Sequence, residues 1–473
     1  MDPVMLRRSS GVSLTKQIEQ AIARQIEDGL LAPGVKLPSI RVFAQDHDVS
    51  RFTVADAYDR LAAHGYVVSR PGSGFFVAGR RDRPAAPATD GPAHREEVVW
   101  LIRRLLEAEQ DTILAGGPWL PESWMEEASL RRVLRTLSNN EGAHLVGYGE
   151  PLGYRPLRAL LAGTILPEIG VNPPEDQILL TCGASQALDL VIRSQLAPGD
   201  TVLVDDPGYY NLFGNLRLHG LRLLGVPRGP DGPDLDALEA LAAAHAPKLY
   251  FTQSVLQNPT GQTLSQHAVF RVLQTAVRHG FRVVEDDIFS DMLPGSALRL
   301  AALDQLDRVI YVRSFSKTLS GSLRVGLVAA APQVITQMTD TKMVTSITTS
   351  AFSEKLIYRL LTDGFYRKFV TRLQDRLADA RHRVMAGFDR IGIVTEERGD
   401  AGMFLWGRFE GIDDSLPLAK RGLEQGVMLA PGAVFRPNLQ QSPWLRFNVA
   451  VCDMPGVIDR LAALAGAYRA DAA

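Results

Sequence analysis

The 473 residues exceed what one hydrophobic core ordinarily organises, so two or three domains are expected. With 46% hydrophobic and 22% charged residues the composition excludes a disordered or fibrous chain. The net charge of −2 neither requires nor excludes a nucleic-acid partner, because a small basic head can hide behind a larger acidic body. Residues 1–83 hold twelve Lys or Arg against nine Asp or Glu, about +3, which leaves about −5 for the remainder. Cys182 and Cys452 are too few and too far apart for a disulfide framework or a metal knuckle, and a reducing cytoplasm fits them best. None of the nine histidines stands at metal-ligand spacing, so no metal is expected. Met1 to Gly11 carries Arg7 and Arg8 with no apolar run behind them, and no later stretch reaches the roughly 18 apolar residues of a spanning helix. A soluble chain with no membrane partner is the expectation.

In chain order, Leu14, Ile18, Ile22 and Ile26 recur every four positions and predict an amphipathic helix that Gly29 and Pro33-Gly34 end. Ser39 offers an N-cap for a short helix carrying Ile40, Phe43 and Ala44. Ser50 caps a third, from about Arg51 to His64, which buries Val54, Ala57, Tyr58 and Leu61 and stops at Gly65. Strands at 66–69 and 75–77 flank Arg70-Pro71-Gly72-Ser73-Gly74, a hairpin turn. Residues 79–95 hold three prolines and no apolar period and read as a linker, which extended at ~3.1 Å per residue reaches on the order of 50 Å. Beyond Glu96, short apolar runs at 177–182, 201–205, 248–252, 282–285, 308–313 and 324–329 alternate with helical patterns, as in a mostly parallel sheet covered on both faces. Long helices near 353–390 and strands near 403–409 and 444–449 suggest a smaller α+β subdomain. The predicted units are therefore a head at 10–78, a linker at 79–95 and an α/β body at 96–473.

The order Pro33-Gly34, Leu37-Pro38-Ser39-Ile40-Arg41, Ser50-Arg51-Phe52-Thr53-Val54, then Gly65-Tyr66 through Val77 resembles the winged helix-turn-helix of the GntR family. That resemblance implies a reader of double-stranded operator DNA. Ser50, Arg51 and Thr53 open the third helix, where side chains and free N–H groups can meet phosphates and base edges. Ser39 and Arg41 open the preceding helix, where Arg41 can clamp a phosphate, and Arg70 with the small Gly72-Ser73-Gly74 tip would enter a minor groove. Asp46, Asp48, Asp56 and Asp59 repel phosphate, so modest affinity and a need for two heads are expected. On shape alone, a three-helix protein-binding module is the alternative.

In the body, Ser314-Phe315-Ser316-Lys317 followed by Arg324 resembles the signature of fold-type I pyridoxal 5′-phosphate proteins. The resemblance implies that Lys317 is the catalytic residue and holds the cofactor's aldehyde as a Schiff base, while Ser314, Ser316 and Arg324 hold its phosphate. Asp286, at a strand's C-terminal end, would face the pyridine nitrogen and keep it protonated, with Glu285 or Asp287 as alternatives. Asn258, in a Gln257-Asn258-Pro259-Thr260-Gly261 turn, would donate to the phenolic oxygen. Ala184 and Ser185 start a helix directly after a strand and would cradle phosphate on their N–H groups. Tyr209 aligns with the ring that stacks on the cofactor, Tyr148 with one reaching the phosphate from a partner subunit, and Arg446 with the arginine that takes a substrate carboxylate.

Head and body together resemble the MocR subfamily of regulators over nearly the whole chain. One departure stands out: where the family places a tyrosine two or three residues after the aspartate, this chain has Ile288 and Phe289. Weak transamination is expected, so at most residual aminotransferase activity. The resemblance thus implies a pyridoxal phosphate-dependent transcriptional regulator that senses a small amine, an amino acid or the cofactor, acting as a homodimer whose heads rest on the partner's body. An aminotransferase carrying a DNA-binding head is the second reading, and a body serving only as a dimerisation platform the third.

Overall fold

A computed structural model describes residues 14–27, 31, 34–63, 66–70, 74–77, 107, 111–139, 146–396 and 401–472. The chain divides into two compact units, Met1–Asp90 and Gly91–Ala473. The expected linker at 79–95 lies outside the described residues.

The first unit holds α1 (Leu14–Glu27), α2 (Ile40–Asp46), α3 (Arg51–Ala63), β1 (Val67–Arg70) and β2 (Gly74–Val77). Ser39 Oγ accepts the Val42 N–H at 3.3 Å and Ser50 Oγ the Thr53 N–H at 3.0 Å, so serine caps fix where α2 and α3 begin. The four-residue apolar period does what it predicts: Ile18, Ile22, Phe43, Val54, Ala57, Tyr58 and Leu61 are wholly buried in one core. The Tyr58 hydroxyl, carried into that core, donates to the Pro38 carbonyl at 3.1 Å and meets its hydrogen-bonding need there.

The second unit is built on an eight-stranded sheet of β3 (Ile178–Thr181), β4 (Thr201–Asp206), β5 (Arg222–Gly229), β6 (Gly232–Pro233), β7 (Leu249–Thr252), β8 (Arg282–Asp286), β9 (Val309–Ser314) and β10 (Gly326–Ala329), in the order β3-β10-β9-β8-β7-β4-β5-β6. The five strands from β9 to β5 are parallel, as expected. β10 departs from that pattern, running antiparallel between β9 and β3 with Gly326 opposite both Ser314 and Thr181. The reversal has a functional effect, because it brings the start of β10 to the edge where β3, β7, β8 and β9 end. Separate apolar clusters cover the two faces of the sheet.

A four-stranded antiparallel sheet follows, of β11 (Ile393–Thr395), β12 (Phe404–Phe409), β13 (Ala430–Pro431) and β14 (Leu445–Asn448), in the order β11-β12-β14-β13. Helices Phe365–Ile391 and Val457–Ala472 pack on it through Phe388, Phe447 and Leu461. Residues 113–116 run beside it: the Ile113 N–H donates to Gly426 O, and the Gly116 N–H to Met428 O, both at 2.9 Å. Gly116 is required there, since a Cβ would stand 2.3 Å from the Ala430 nitrogen.

Candidate functional site

The carboxyl ends of β7, β8 and β9 open onto one edge of the large sheet, the side on which open α/β sheets take ligands. Asp286, the last residue of β8, is 6% exposed; its Oδ2 accepts from Gln253 Nε2 at 2.9 Å, and its Oδ1 is buried without a hydrogen bond. The flanking acids are engaged elsewhere. Glu285 accepts from Ser254 Oγ and from the N–H groups of Leu300 and Ala301, at 2.9 and 2.7 Å for the last two. Asp287 accepts from Arg299 Nε at 3.2 Å and from the Tyr311 hydroxyl at 2.7 Å, so its charge is already matched. Burial pushes Asp286 up to about 7, against the pull of Gln253 and Lys317. A cation at its open oxygen would restore ionisation.

Lys317 lies three residues beyond β9, its Nζ donating to the Pro118 carbonyl at 2.8 Å and standing 5.8 Å from the centre of the Phe289 ring. Burial first, then Arg446 and Arg324, lower it to about 8 against the attraction of Asp286. A sizeable fraction is therefore the neutral amine near physiological pH, the form that attacks a carbonyl carbon. Phe289 packs edge-on against Phe404 at 5.2 Å, and both it and Ile288 are buried, so neither supplies a polar group.

Beside the lysine, Ser314 Oγ donates to Ser316 Oγ at 3.1 Å, and Arg324 reaches Ser316 Oγ at 3.5 Å and the Cys182 carbonyl at 3.4 Å. Across from them the helix Gly183–Gln195 begins with Ala184 and Ser185 in its first turn and no side chain capping it. Gly183, at φ +70°, leaves room for this approach, since a Cβ would come within 2.7 Å of Arg324 Nη2. Two serines, a guanidinium and the start of a 13-residue helix form a cradle for a dianion. Tyr209 precedes the helix Tyr210–Leu218, lines one cavity with Asp286 and Gln253, and takes a hydrogen bond from Asn211 at 3.0 Å; burial raises its hydroxyl well above the ordinary range.

Arg446, in β14, is wholly buried, and among the described residues no Asp or Glu pairs with it. Its Nη1 donates to Asn258 Oδ1 at 2.8 Å and its Nη2 to the Gly116 carbonyl at 2.6 Å, while Nε has no partner. The rings of Phe404, Phe435 and Tyr210 surround it at 4.6, 5.0 and 5.9 Å, standing in for the missing carboxylate. Tyr148 does not join this cluster; it is 85% exposed and bonds none of these groups. Motif reading missed Gln253, which touches both Asp286 and Asn258, and the carbonyls of residues 115–119, which receive Lys317 and Arg446.

In the head, Ser39, Arg41, Ser50 and Arg51 are exposed and Thr53 is half-buried, its hydroxyl 2.7 Å from Ser50 Oγ. Gly74, at φ +102°, pairs with Arg70 across the hairpin. The Arg70 side chain, Gly72 and Ser73 lie outside the described residues. Phe52, between Arg51 and Thr53 on the first turn of α3, is 82% exposed, an apolar group that the motif reading passed over.

A three-helix head with a hairpin and an α/β body with a lysine, an aspartate and an anion cradle on one sheet edge define a DNA-binding head on an aminotransferase-like body. The chain belongs to the aminotransferase class I and II family, whose model matches residues 114–463, and residues 14–77 match the gntR family of bacterial regulatory proteins. It is 34% identical over 379 residues to a 2-aminoadipate transaminase of Thermus thermophilus, covering 78% of this chain and 93% of that one. It is 28% identical over 441 residues to the probable rhizopine catabolism regulatory protein MocR of Rhizobium meliloti, covering 90% and 88%. The crystal structure of LysN, an alpha-aminoadipate aminotransferase from Thermus thermophilus complexed with N-(5′-phosphopyridoxyl)-L-leucine, superposes with a TM-score of 0.70 at 30% identity, over 78% of this chain and 95% of that one. The cofactor of this body is pyridoxal 5′-phosphate. The residues fit it: a buried carboxylate oxygen without a partner, an amine held near neutrality, and a dianion cradle beside that amine. Among the described residues no cluster of His, Cys, Asp or Glu is arranged to hold a metal ion, and no helix is long and apolar enough to cross a membrane.

Proposed function

We propose that the protein regulates transcription from an operator in double-stranded DNA, with an amine, an amino acid or the cofactor itself as the signal read by the body. The observation that carries this is Arg446, a buried guanidinium that no carboxylate pairs with among the described residues, close to the cofactor residues of a chain that also bears a DNA reader. A carboxylate seated on that fork would gain two charge-assisted bonds in a site shielded from water.

Bound in the cradle, pyridoxal phosphate supplies an aldehyde carbon and an electron-withdrawing ring. Lys317 would hold the aldehyde and, once displaced by an incoming amine, accept or return a proton at its Nζ. Asp286 Oδ1 would face the ring nitrogen, the Asn258 amide the phenolic oxygen, and Tyr209 the ring face. Ala184, Ser185, Ser314, Ser316 and Arg324 would hold the phosphate. Ser39, Arg41, Ser50, Arg51, Thr53 and the hairpin from Arg70 to Gly74 would meet the DNA.

The chain would act as a cytoplasmic homodimer of units 10–78 and 96–473 joined by 79–95. Val146, Tyr148, Val344 and Ile347, 102, 85, 88 and 58% exposed, lie on segments that meet where Gly149 approaches Thr348 and Thr349, and a second copy would cover them. Tyr148 would then complete that copy's phosphate site.

The second reading, a working aminotransferase with a head attached, is favoured by the relative named a 2-aminoadipate transaminase. One experiment separates the two: the holoprotein is mixed with a panel of amino acids and amines while absorbance, release of keto acid and binding to DNA flanking its own gene are followed. A lasting spectral change with altered DNA affinity and little keto acid supports regulation. Steady consumption of the amine with unaltered DNA binding overturns it.

A further inference from the structure

Lys342, on the helix Pro332–Ser346, is wholly buried, and its Nζ donates to the Pro151 carbonyl at 2.9 Å, the Leu180 carbonyl at 2.8 Å and Thr349 Oγ1 at 3.1 Å. An ammonium has three hydrogens, and here each has an acceptor. Burial lowers this lysine to about 8, with Glu354 opposing the fall and Arg158 adding to it, so the ammonium form prevails near neutral pH. A carboxylate is reached through the threonine: Thr349 Oγ1 donates to Glu354 Oε1, while Glu354 Oε2 accepts the Tyr154 N–H at 2.8 Å.

The three acceptors belong to three runs of chain with different tasks. Pro151 stands three residues past Tyr148, on a turn that Arg158 Nε also holds by donating to the Gly153 carbonyl at 3.0 Å, and the Leu180 N–H by donating to the Leu152 carbonyl at 2.9 Å. Thr349 follows the exposed Ile347 on the segment that Gly149 approaches, where a Cβ at 149 would stand 3.1 Å from the Thr349 carbonyl oxygen. Leu180 lies in β3, three residues ahead of Gly183, where the phosphate-cradle helix begins. A second tie reaches that helix: the Cys182 N–H donates to Gln186 Oε1 at 2.6 Å, and Gln186 Nε2 donates to Ser346 Oγ at 2.9 Å, at the end of the helix that carries Lys342. One ammonium thus bridges the strand leading to this chain's cradle and the segment that presents Tyr148 outward.

We propose that Lys342 is a positioning residue that holds the Tyr148 segment in place for the cofactor phosphate of a second copy. This rests on reading the chain as a homodimer in which Tyr148 completes the other copy's site. Tyr148 is 85% exposed and bonds none of the cradle groups of its own chain, so the course of its segment decides where its hydroxyl stands. Replacing Lys342 by an apolar side chain takes this donor from the Pro151 and Leu180 carbonyls and from Thr349, and loosens the turn from β3. The cofactor's aldehyde and ring meet Lys317, Asp286 and Tyr209, none of which Lys342 touches. Its effect therefore falls on the phosphate end of the cofactor.

The test titrates full-length protein with pyridoxal 5′-phosphate and with pyridoxal, the same aldehyde without the phosphate, and reads each affinity from the absorbance of the Lys317-bound form. Lys342→Met and Thr349→Val should weaken binding of the phosphorylated aldehyde by ~10-fold or more, while pyridoxal binding stays within about threefold of wild type. Thr349→Ser, which keeps the hydroxyl, should restore it. Tyr148→Phe should show the same selective loss, and adding Lys342→Met to it should cost less than about threefold more, because both changes act on one contact. Equal losses for the two aldehydes, wild-type phosphate affinity in the Lys342 and Thr349 variants, or additive losses in the double variant overturn the proposal. If Lys342→Met does not fold, Thr349→Val and Thr349→Ser, each with and without Tyr148→Phe, decide the matter by the same criteria. A wild type that takes up the cofactor as a monomer, or Tyr148→Phe with wild-type affinity, refutes the dimer reading and the proposal with it, whereas a silent Lys342 beside a sensitive Tyr148 sinks the proposal alone.

Discussion

Lys317 Nζ and the Pro118 carbonyl oxygen are joined at 2.8 Å across 199 residues of sequence. The lysine must leave that carbonyl and shed a proton before it can hold an aldehyde. Colour development on adding pyridoxal phosphate to apo-protein should therefore speed up with pH and level off above about 8. Lys317→Met should stay colourless, with no borohydride-trapped mass on residue 317. A stopped-flow rate that is flat from ~pH 6 to ~pH 9 would contradict this account. The sign for stability follows: the folded state lowers this lysine, so between about 8 and the ordinary 10.5 the unfolded chain binds more protons and apo-protein stability gains as pH rises.

Asp286 works in the opposite direction. Its carboxyl is raised to about 7, so ionisation costs folded apo-protein stability progressively as pH climbs from the ordinary carboxylate range to about 7, and fully above it. Asp286→Asn should raise the apo-protein melting temperature at pH 8 by ~2–4 °C, with the difference vanishing near pH 4. The same change should weaken cofactor retention by ~10–100-fold, read by dialysis, because the ring nitrogen loses its counter-charge.

Phe289 is buried against Phe404 and 5.8 Å from Lys317 Nζ, and it brings no hydroxyl to the lysine. Phe289→Tyr would bring a hydroxyl to the Lys317 side of the site and offer the cofactor's phenolic oxygen a donor. The pH at which the Lys317-bound cofactor changes colour should fall by ~1 unit, and keto acid release should rise. An unmoved absorbance titration would show that the side chain at position 289 does not set this midpoint.

Arg446→Lys keeps a charge but loses the two-pronged fork. The spectral response to amino acids should weaken by ~100-fold in concentration, while the response to simple amines without a carboxylate stays within about threefold. Equal losses for both ligand classes would place the carboxylate elsewhere.

In the head, Arg51→Ala should lower operator affinity by ~3–10-fold and reduce the slope of log affinity against log salt by about one per head, as measured by fluorescence anisotropy. Ser50→Ala should cost the head ~1 kcal/mol of stability through loss of the α3 cap. An unchanged salt slope in Arg51→Ala would take that arginine off the phosphate backbone.

The sequence was most readable where structure is local. Ile18, Ile22, Val54 and Leu61 announce their helices by spacing, and Ser39 and Ser50 their starting points. β7, β8 and β9 are continuous apolar runs because both faces of the sheet are covered. β5 was overlooked because Arg222–Gly229 carries two glycines and a proline near the sheet edge. The antiparallel course of β10 could not be read, since strand direction depends on a partner far away in sequence. Of the site, Lys317, Asp286 and Arg324 stand in motifs, whereas Gln253 acquires its importance only once Asp286, 33 positions on, and Asn258 are folded against it.

The five carbonyls from Ala115 to Trp119 all serve as acceptors: Ala115 for the Asn448 N–H at 2.7 Å, Gly116 for Arg446, Gly117 and Trp119 for Asn448 Nδ2 at 2.9 and 2.7 Å, and Pro118 for Lys317. A headless version of the protein made for crystallisation or calorimetry must therefore begin ahead of Ile113. Cutting at the first obvious helix, Glu127–Ser138, would strip the lysine and the arginine of their anchors and yield a fragment whose ligand behaviour says nothing about the intact molecule.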